Sequence, residues 1–155
     1  MTFRQDKTKL ALWVVSHCTS TSNREGYAEE LQKYLELDIF GKCYGRPLTC
    51  PEIGNCSNEM EKLCSGGTAF TPCVQEVAKR YKFYLAFENS RCDNYWTEKL
   101  GQCFEVPIVP IVLGGADYTK IMPKEAYINV YDFENPQKLA EYLLYLDGNW
   151  VRPKK

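Results

Sequence analysis

Three stretches of this chain are apolar almost without a break: KLALWVVS at 9–16, KFYLAFE at 82–88 and PIVPIVLGG at 107–115. A strand with one face in water alternates apolar and polar residues, because successive side chains point to opposite sides. Runs that stay apolar, rich in Val, Ile, Phe and Trp, belong instead to strands covered on both faces. That demand argues against a one-sided sheet and asks for helices above and below. The sequence between the runs supplies them. Ser22 with Glu25 predicts a capping box opening a helix at Asn23, with Tyr27, Leu31, Tyr34 and Leu35 on one buried face. VQEVAKRY at 74–81 predicts a short second helix. Asn94 caps a third, with a stripe of Trp96, Leu100, Cys103 and Phe104. Asn135-Pro136 opens a last helix carrying Leu139, Leu143 and Leu146, stopped by Gly148. DIFG at 38–41 and AYINVYD at 126–132 add two strands. The expected fold class is α/β, a Rossmann-like parallel sheet with helices on both faces.

A chain of 155 residues suits a single domain over 1–155. A net charge of −1 and a pI near 5.9 speak against nucleic acid or a membrane surface as partner. The short basic end, Arg152-Pro153-Lys154-Lys155, reads as a solvated tail. Cysteine is the unusual component. Of eight, Cys43, Cys50, Cys56, Cys64 and Cys73 fall in 42–73, a stretch rich in Gly, Pro, Asn and Thr that predicts an irregular Cys-rich loop insertion. No C-x-x-C occurs, so a zinc ribbon or a dithiol motif has little support, and no metal is expected. Disulfides in an oxidising compartment fit better, and the Asn55-Cys56-Ser57 sequon agrees with that setting. No apolar run nears the ~20 residues of a membrane span, so any anchor or targeting segment is expected outside this chain.

In open parallel sheets ligands sit at the carboxyl ends of the strands, beside helix N-termini. Three polar groups fall at such places: Ser16-His17-Cys18 through Arg24, then Glu88-Asn89 with Tyr95 to Lys99, and Gly114-Gly115. Arg24 and Lys99 each stand in the first turn of an expected helix, where free N–H groups favour an anion. Two cations at two helix starts make a cradle for a diphosphate. The carboxylates of Glu88 and Glu98 suit sugar or ribose hydroxyls. Taken singly, each of these charged residues is better read as a solvated charge; it is their meeting at matching strand ends that raises the site reading to equal standing. Trp96 and Tyr95 are better read as packing residues, His17 as a structural hydrogen-bonding residue, and the two glycines as an ordinary turn.

YKFYLAFENS at 81–90, Asp93 and TEKL at 97–100 closely resemble the signature of the α1,3-fucosyltransferases, glycosyltransferase family 10. KLALWVVSHC with Arg24 and Tyr27, DIFGKC, VPIV and AYINVYDF…LAEYLLYLD resemble further family segments in the same order, from Lys9 to about Asn149. The resemblance implies the C-terminal, donor-binding half of a two-domain GT-B fold, with the N-terminal acceptor domain absent from this chain. It implies GDP-fucose as donor and a glycan or glycoprotein bearing N-acetylglucosamine as acceptor, with transfer by inversion and no cofactor or essential metal. Arg24 and Lys99 would hold the β-phosphate and stabilise the leaving group. Asn89 would bond the diphosphate, Glu98 the ribose, and Tyr95 would line the site beside Glu88. The general base would come from the acceptor domain. The implied setting is the Golgi lumen, as part of a type II membrane protein whose anchor lies outside this chain. The sequence departs from the family at His17, where many members carry Asn, and at Gly101-Gln102. A nucleotide-sugar-binding module without catalysis, or a disulfide-rich interaction module, are the alternatives.

Overall fold

The computed structural model describes residues 7–46, 48 and 72–148. Five strands form the sheet: β1 (Lys9–Val14), β2 (Leu37–Phe40), β3 (Tyr81–Phe87), β4 (Val109–Leu113) and β5 (Ile128–Asn129). Among the described residues four helices accompany them: α1 (Arg24–Gln32), α2 (Pro72–Ala78), α3 (Glu98–Gly101) and α4 (Pro136–Gly148). The strand order is β2-β1-β3-β4-β5, and every pair is parallel. The expected parallel α/β sheet is therefore present, and the apolar runs occupy its centre.

Strand parity divides the core into two layers. Leu12, Tyr84, Ala86 and Val112 face Val74 and Val77 of α2 and Leu100 of α3. Trp13, Phe83, Leu85, Phe87, Ile111 and Leu113 face Ala28 and Leu31 of α1 and Leu139 and Leu143 of α4. Burying each such leucine contributes about 1.5–3 kcal/mol relative to exposure, so both layers, and not helix propensity, hold the helices down. Pro110 pairs with Tyr84 inside β4, at a level that β5 does not reach, since β5 pairs only with Ile111 and Val112. A strand position with one open side tolerates a missing N–H.

Several local expectations fail for tertiary reasons. Ser22 caps nothing: its buried hydroxyl donates to the carbonyl of Glu88 at 2.7 Å, tying the start of α1 to the end of β3. The residue before α1 is Asn23, at φ 53 and with no side-chain cap. Tyr34 lies exposed while Ala28 joins Leu31 in the core. The third helix does not begin at Asn94. Asn94 is left-handed at φ 61, α3 is a single turn from Glu98, and a 3-10 turn follows over Gln102–Glu105. Its expected stripe is broken accordingly: Leu100 and Cys103 are buried, while Trp96 is 49% and Phe104 59% exposed. The last helix keeps its expected cap, with Asn135 Oδ1 accepting from Lys138 N at 3.0 Å.

Cys18 and Cys43 form a disulfide, joining the segment after β1 to the 3-10 turn after β2. Cys92 and Cys103 are unpaired. Cys50, Cys56, Cys64, the sequon at Asn55, most of the insertion and the basic tail lie outside the described residues.

Candidate functional site

A hollow of about 230 Å³ opens at the carboxyl edge of the sheet, where β1 and β3 lie side by side. From β1 the chain returns through α1 to β2 on one side; from β3 it passes through α3 to β4 on the other. Such a switch point leaves a crevice between diverging connections, and parallel α/β sheets bind ligands there. Val14, Val15, Ser16 and His17 line it from the exit of β1, and Tyr84, Leu85 and Asn89 from β3. Arg24 enters from α1, and Glu98 and Lys99 from α3.

Arg24 is the most constrained of these groups. Its side chain is 3% exposed, with Nη1 donating to Phe87 O at 2.9 Å and Nη2 to His17 O at 3.0 Å. The fork thus bridges the ends of β3 and β1, which fixes the guanidinium before any ligand arrives. Among the described residues its Nε has no hydrogen-bond partner, and the nearest carboxylate, Glu25, is 3.9 Å away. Burial pulls this guanidinium below its ordinary pKa, and Glu25 and Glu88 pull it back up. Asn89 has a buried Oδ1 without a partner among the described residues, while its backbone carbonyl accepts from Ser22 N and from the Thr21 hydroxyl. Both atoms, a positive donor and a neutral acceptor, belong to residues that line the hollow, and each is itself nearly closed off from solvent. Buried polar atoms seldom stay unpaired in a resting protein unless a ligand or water completes them.

Glu98 and Lys99 open α3 and line the opposite wall. A single turn carries little dipole, so the expected helix-start contribution gives way here to the charge of Lys99 itself. Lys99 Nζ donates to Thr97 Oγ1 at 3.2 Å and stands 3.7 Å from Glu88 Oε2. Glu88 is 1% exposed and does not line the hollow. It continues the Tyr84–Ala86 parity toward α3, where Thr97 N at 3.0 Å and the Thr97 hydroxyl at 2.9 Å donate to it. The sequence reading placed Glu88 at sugar hydroxyls; here its carboxylate is turned to Thr97. Tyr95 is also outside the lining set, 36% exposed on the loop before α3. Of six expected site residues, the hollow gathers Arg24, Asn89, Glu98 and Lys99.

Gly114 and Gly115 have a firmer reason than a turn. A Cβ on Gly115 would overlap the carbonyl oxygens of Arg91 and Cys92, so only glycine lets the 89–96 loop rest on the end of β4. A Cβ on Gly114 would overlap the Tyr118 hydroxyl and approach Glu88 Cγ to 3.2 Å. Sequence reasoning missed Thr97 as a partner of Glu88, and Trp13 and Tyr84 as lining residues. The adjacency of Thr97 to Glu98-Lys99 was the one available signal.

Paired cationic side chains at the switch point of a parallel α/β sheet are chemically suited to a phosphorylated anion. The chain is a member of glycosyltransferase family 10: the family model described as "Glycosyltransferase family 10 (fucosyltransferase) C-term" matches residues 4–152. It is 41% identical over 154 residues to alpha-(1,3)-fucosyltransferase C of Drosophila melanogaster, covering 94% of this chain and 32% of that protein. It is 42% identical over 145 residues to glycoprotein 3-alpha-L-fucosyltransferase A of the same species, covering 92% and 25%. The chain thus spans a third or less of the length of these relatives. A crystal structure of an alpha1,3-fucosyltransferase with GDP-fucose superposes with a TM-score of 0.68 at 23% identity, over 92% of this chain and 36% of that one. A crystal structure of an alpha1,3-fucosyltransferase with GDP superposes with a TM-score of 0.67 at 24% identity. At such identity the likeness establishes the fold.

Proposed function

We propose that this chain is the donor-binding half of an α1,3-fucosyltransferase and takes GDP-fucose in the hollow between β1 and β3. The observation that carries the reading is the meeting of Arg24 and Lys99 on that one hollow in a family 10 chain. In this reading Arg24 and Lys99 grip the diphosphate, Asn89 adds a hydrogen bond and Glu98 accepts from the ribose hydroxyls. Tyr95 reaches the site only from its exposed loop, and Glu88 acts from behind the wall. Fucose passes with inversion to an N-acetylglucosamine-containing glycan or glycoprotein.

The chemistry follows from charge. As the bond to GDP lengthens, the sugar ring gains positive character and the diphosphate gains negative charge. Cations already fixed in place stabilise that state more than the ground state, which lowers the barrier. Removing one such donor costs on the order of ~3 kcal/mol of activation free energy. The base that takes the acceptor proton is assigned to the acceptor-side domain, and no metal or cofactor enters the scheme. The proposed setting is the Golgi lumen, in a type II membrane protein; the Cys18–Cys43 disulfide fits an oxidising compartment.

Thermal unfolding with added nucleotide tests the reading. At about a hundredfold excess over Kd a ligand adds ~2.7 kcal/mol, or roughly 5–10 °C in Tm for a domain of this size. GDP is expected to protect and free fucose not, with Lys99→Ala losing most of the protection. No shift at millimolar GDP would overturn the proposal. Turnover of GDP-fucose with a glycan acceptor separates a catalytic chain from a binding module that needs its acceptor domain.

A further inference from the structure

We propose that Glu88 and Thr97 form a clasp that fixes the ammonium of Lys99 at the edge of the hollow, which makes both positioning residues for the phosphate-binding group. The inference deepens the donor-binding reading and rests on it for the ligand, though not for the clasp itself.

Lys99 needs such a device. A lysine is a point charge on a flexible four-carbon stem, and holding it in one place costs rotamer entropy. Its own helix is one turn long, and residues 91–96 before it are exposed. Little in that segment would order the side chain by packing. Glu88 comes instead from the rigid part of the fold. Its amide donates to Leu113 O at 2.9 Å and its carbonyl accepts from Ser22, so its backbone is held from both neighbouring elements. Gly114 leaves the space its side chain occupies. A carboxylate buried this far must be matched by donors or a cation.

The hydroxyl of Thr97 lies 2.9 Å from each carboxylate oxygen of Glu88 but has only one proton, so it donates to one at a time. Its lone pair then faces Lys99 Nζ at 3.2 Å. The result is a directed chain, ammonium to hydroxyl to carboxylate, alongside the direct 3.7 Å ion pair. Each bond polarises the next. The Thr97 amide closes the same carboxylate onto the loop, so one side chain joins the end of β3 to the start of α3. A threonine is required for its hydroxyl, and its methyl is incidental.

Thr97→Val and Thr97→Ser separate these parts without emptying the buried Glu88 position. In the ligand-free chain, hydrogen exchange over residues 97–100 is expected to rise in Thr97→Val and to stay near wild type in Thr97→Ser, with β1 and α4 unchanged in both. In calorimetric titration with GDP, Thr97→Val is expected to bind about tenfold more weakly, with the affinity restored by Thr97→Ser. A merely structural threonine would shift Tm but leave GDP affinity alone. Wild-type behaviour of Thr97→Val in the exchange measurement overturns the clasp, as does wild-type GDP affinity in that variant. Should the wild type itself bind no GDP, the donor reading fails separately and the exchange measurement alone decides.

Discussion

Arg24→Lys keeps the charge at the hollow and removes the fork, so it isolates what the guanidinium geometry contributes. Two donors on one planar group reach the carbonyls of Phe87 and His17, at 2.9 and 3.0 Å. A lysine carries its donors on a single nitrogen and cannot span both carbonyls from that position. At least one charge-assisted hydrogen bond at a nearly closed site is lost, worth about 1.5–3 kcal/mol. With about 2–4 °C in Tm per kcal/mol for a domain of this size, the variant should melt roughly 3–12 °C lower. GDP affinity should fall by about tenfold or more, because the charge remains but the paired bonds that hold it at the hollow do not. The assay is thermal unfolding with and without GDP, followed by calorimetric titration well below the lowered Tm. Unchanged Tm would refute the bridging of β1 to β3 through Arg24. A lowered Tm with wild-type GDP affinity would refute the diphosphate contact, leaving Arg24 a structural bridge.

Three further outcomes follow from the described contacts. Gly115→Ala should destabilise the fold by about 1–3 kcal/mol and raise exchange in the 89–96 loop, because the new Cβ meets backbone oxygens that cannot move aside cheaply; an unchanged denaturant midpoint would count against that packing. Burial raises the Asp38 carboxyl, but hydrogen bonds from Lys9 and Tyr81 outweigh it and hold the group below its ordinary value. A carboxylate depressed in the folded state contributes stability above its unfolded pKa, so that contribution should fade as pH drops below about 4, and Asp38→Asn should flatten this part of the acid-unfolding curve. Burial pushes the Cys103 thiol up to about 12, so iodoacetamide at pH 8 should leave Cys103 unlabelled in the native chain and label it in urea, as read by peptide mass.

The sheet was legible in the sequence because its central strands announce themselves: β1, β3 and β4 fall within one or two residues of their apolar runs. Burial on both faces leaves a signal that any local window can detect. α3 was not legible in the same way. Trp96, Leu100, Cys103 and Phe104 keep helical spacing, yet the backbone there is one α turn followed by a 3-10 turn, so the period does not hold. Ser22 and Glu25 satisfied a local rule that a contact 66 residues away overrode. Gly114-Gly115 could be read only as a turn, since the oxygens that exclude a Cβ arrive from the 89–96 loop and from Tyr118. The residues on the hollow were legible individually, as charges after strands. Glu88 needed coordinates, because parity alone places it on the α3 side and only the packing closes it from solvent.

The Cys18–Cys43 bond staples the ligand edge of the molecule and not its core. The residue before Cys18 supplies the carbonyl that holds Arg24, so a reducing agent added during purification would leave every strand paired while freeing one support of that guanidinium. Preparations of identical helicity could then differ in nucleotide affinity according to nothing but the thiol content of their buffers.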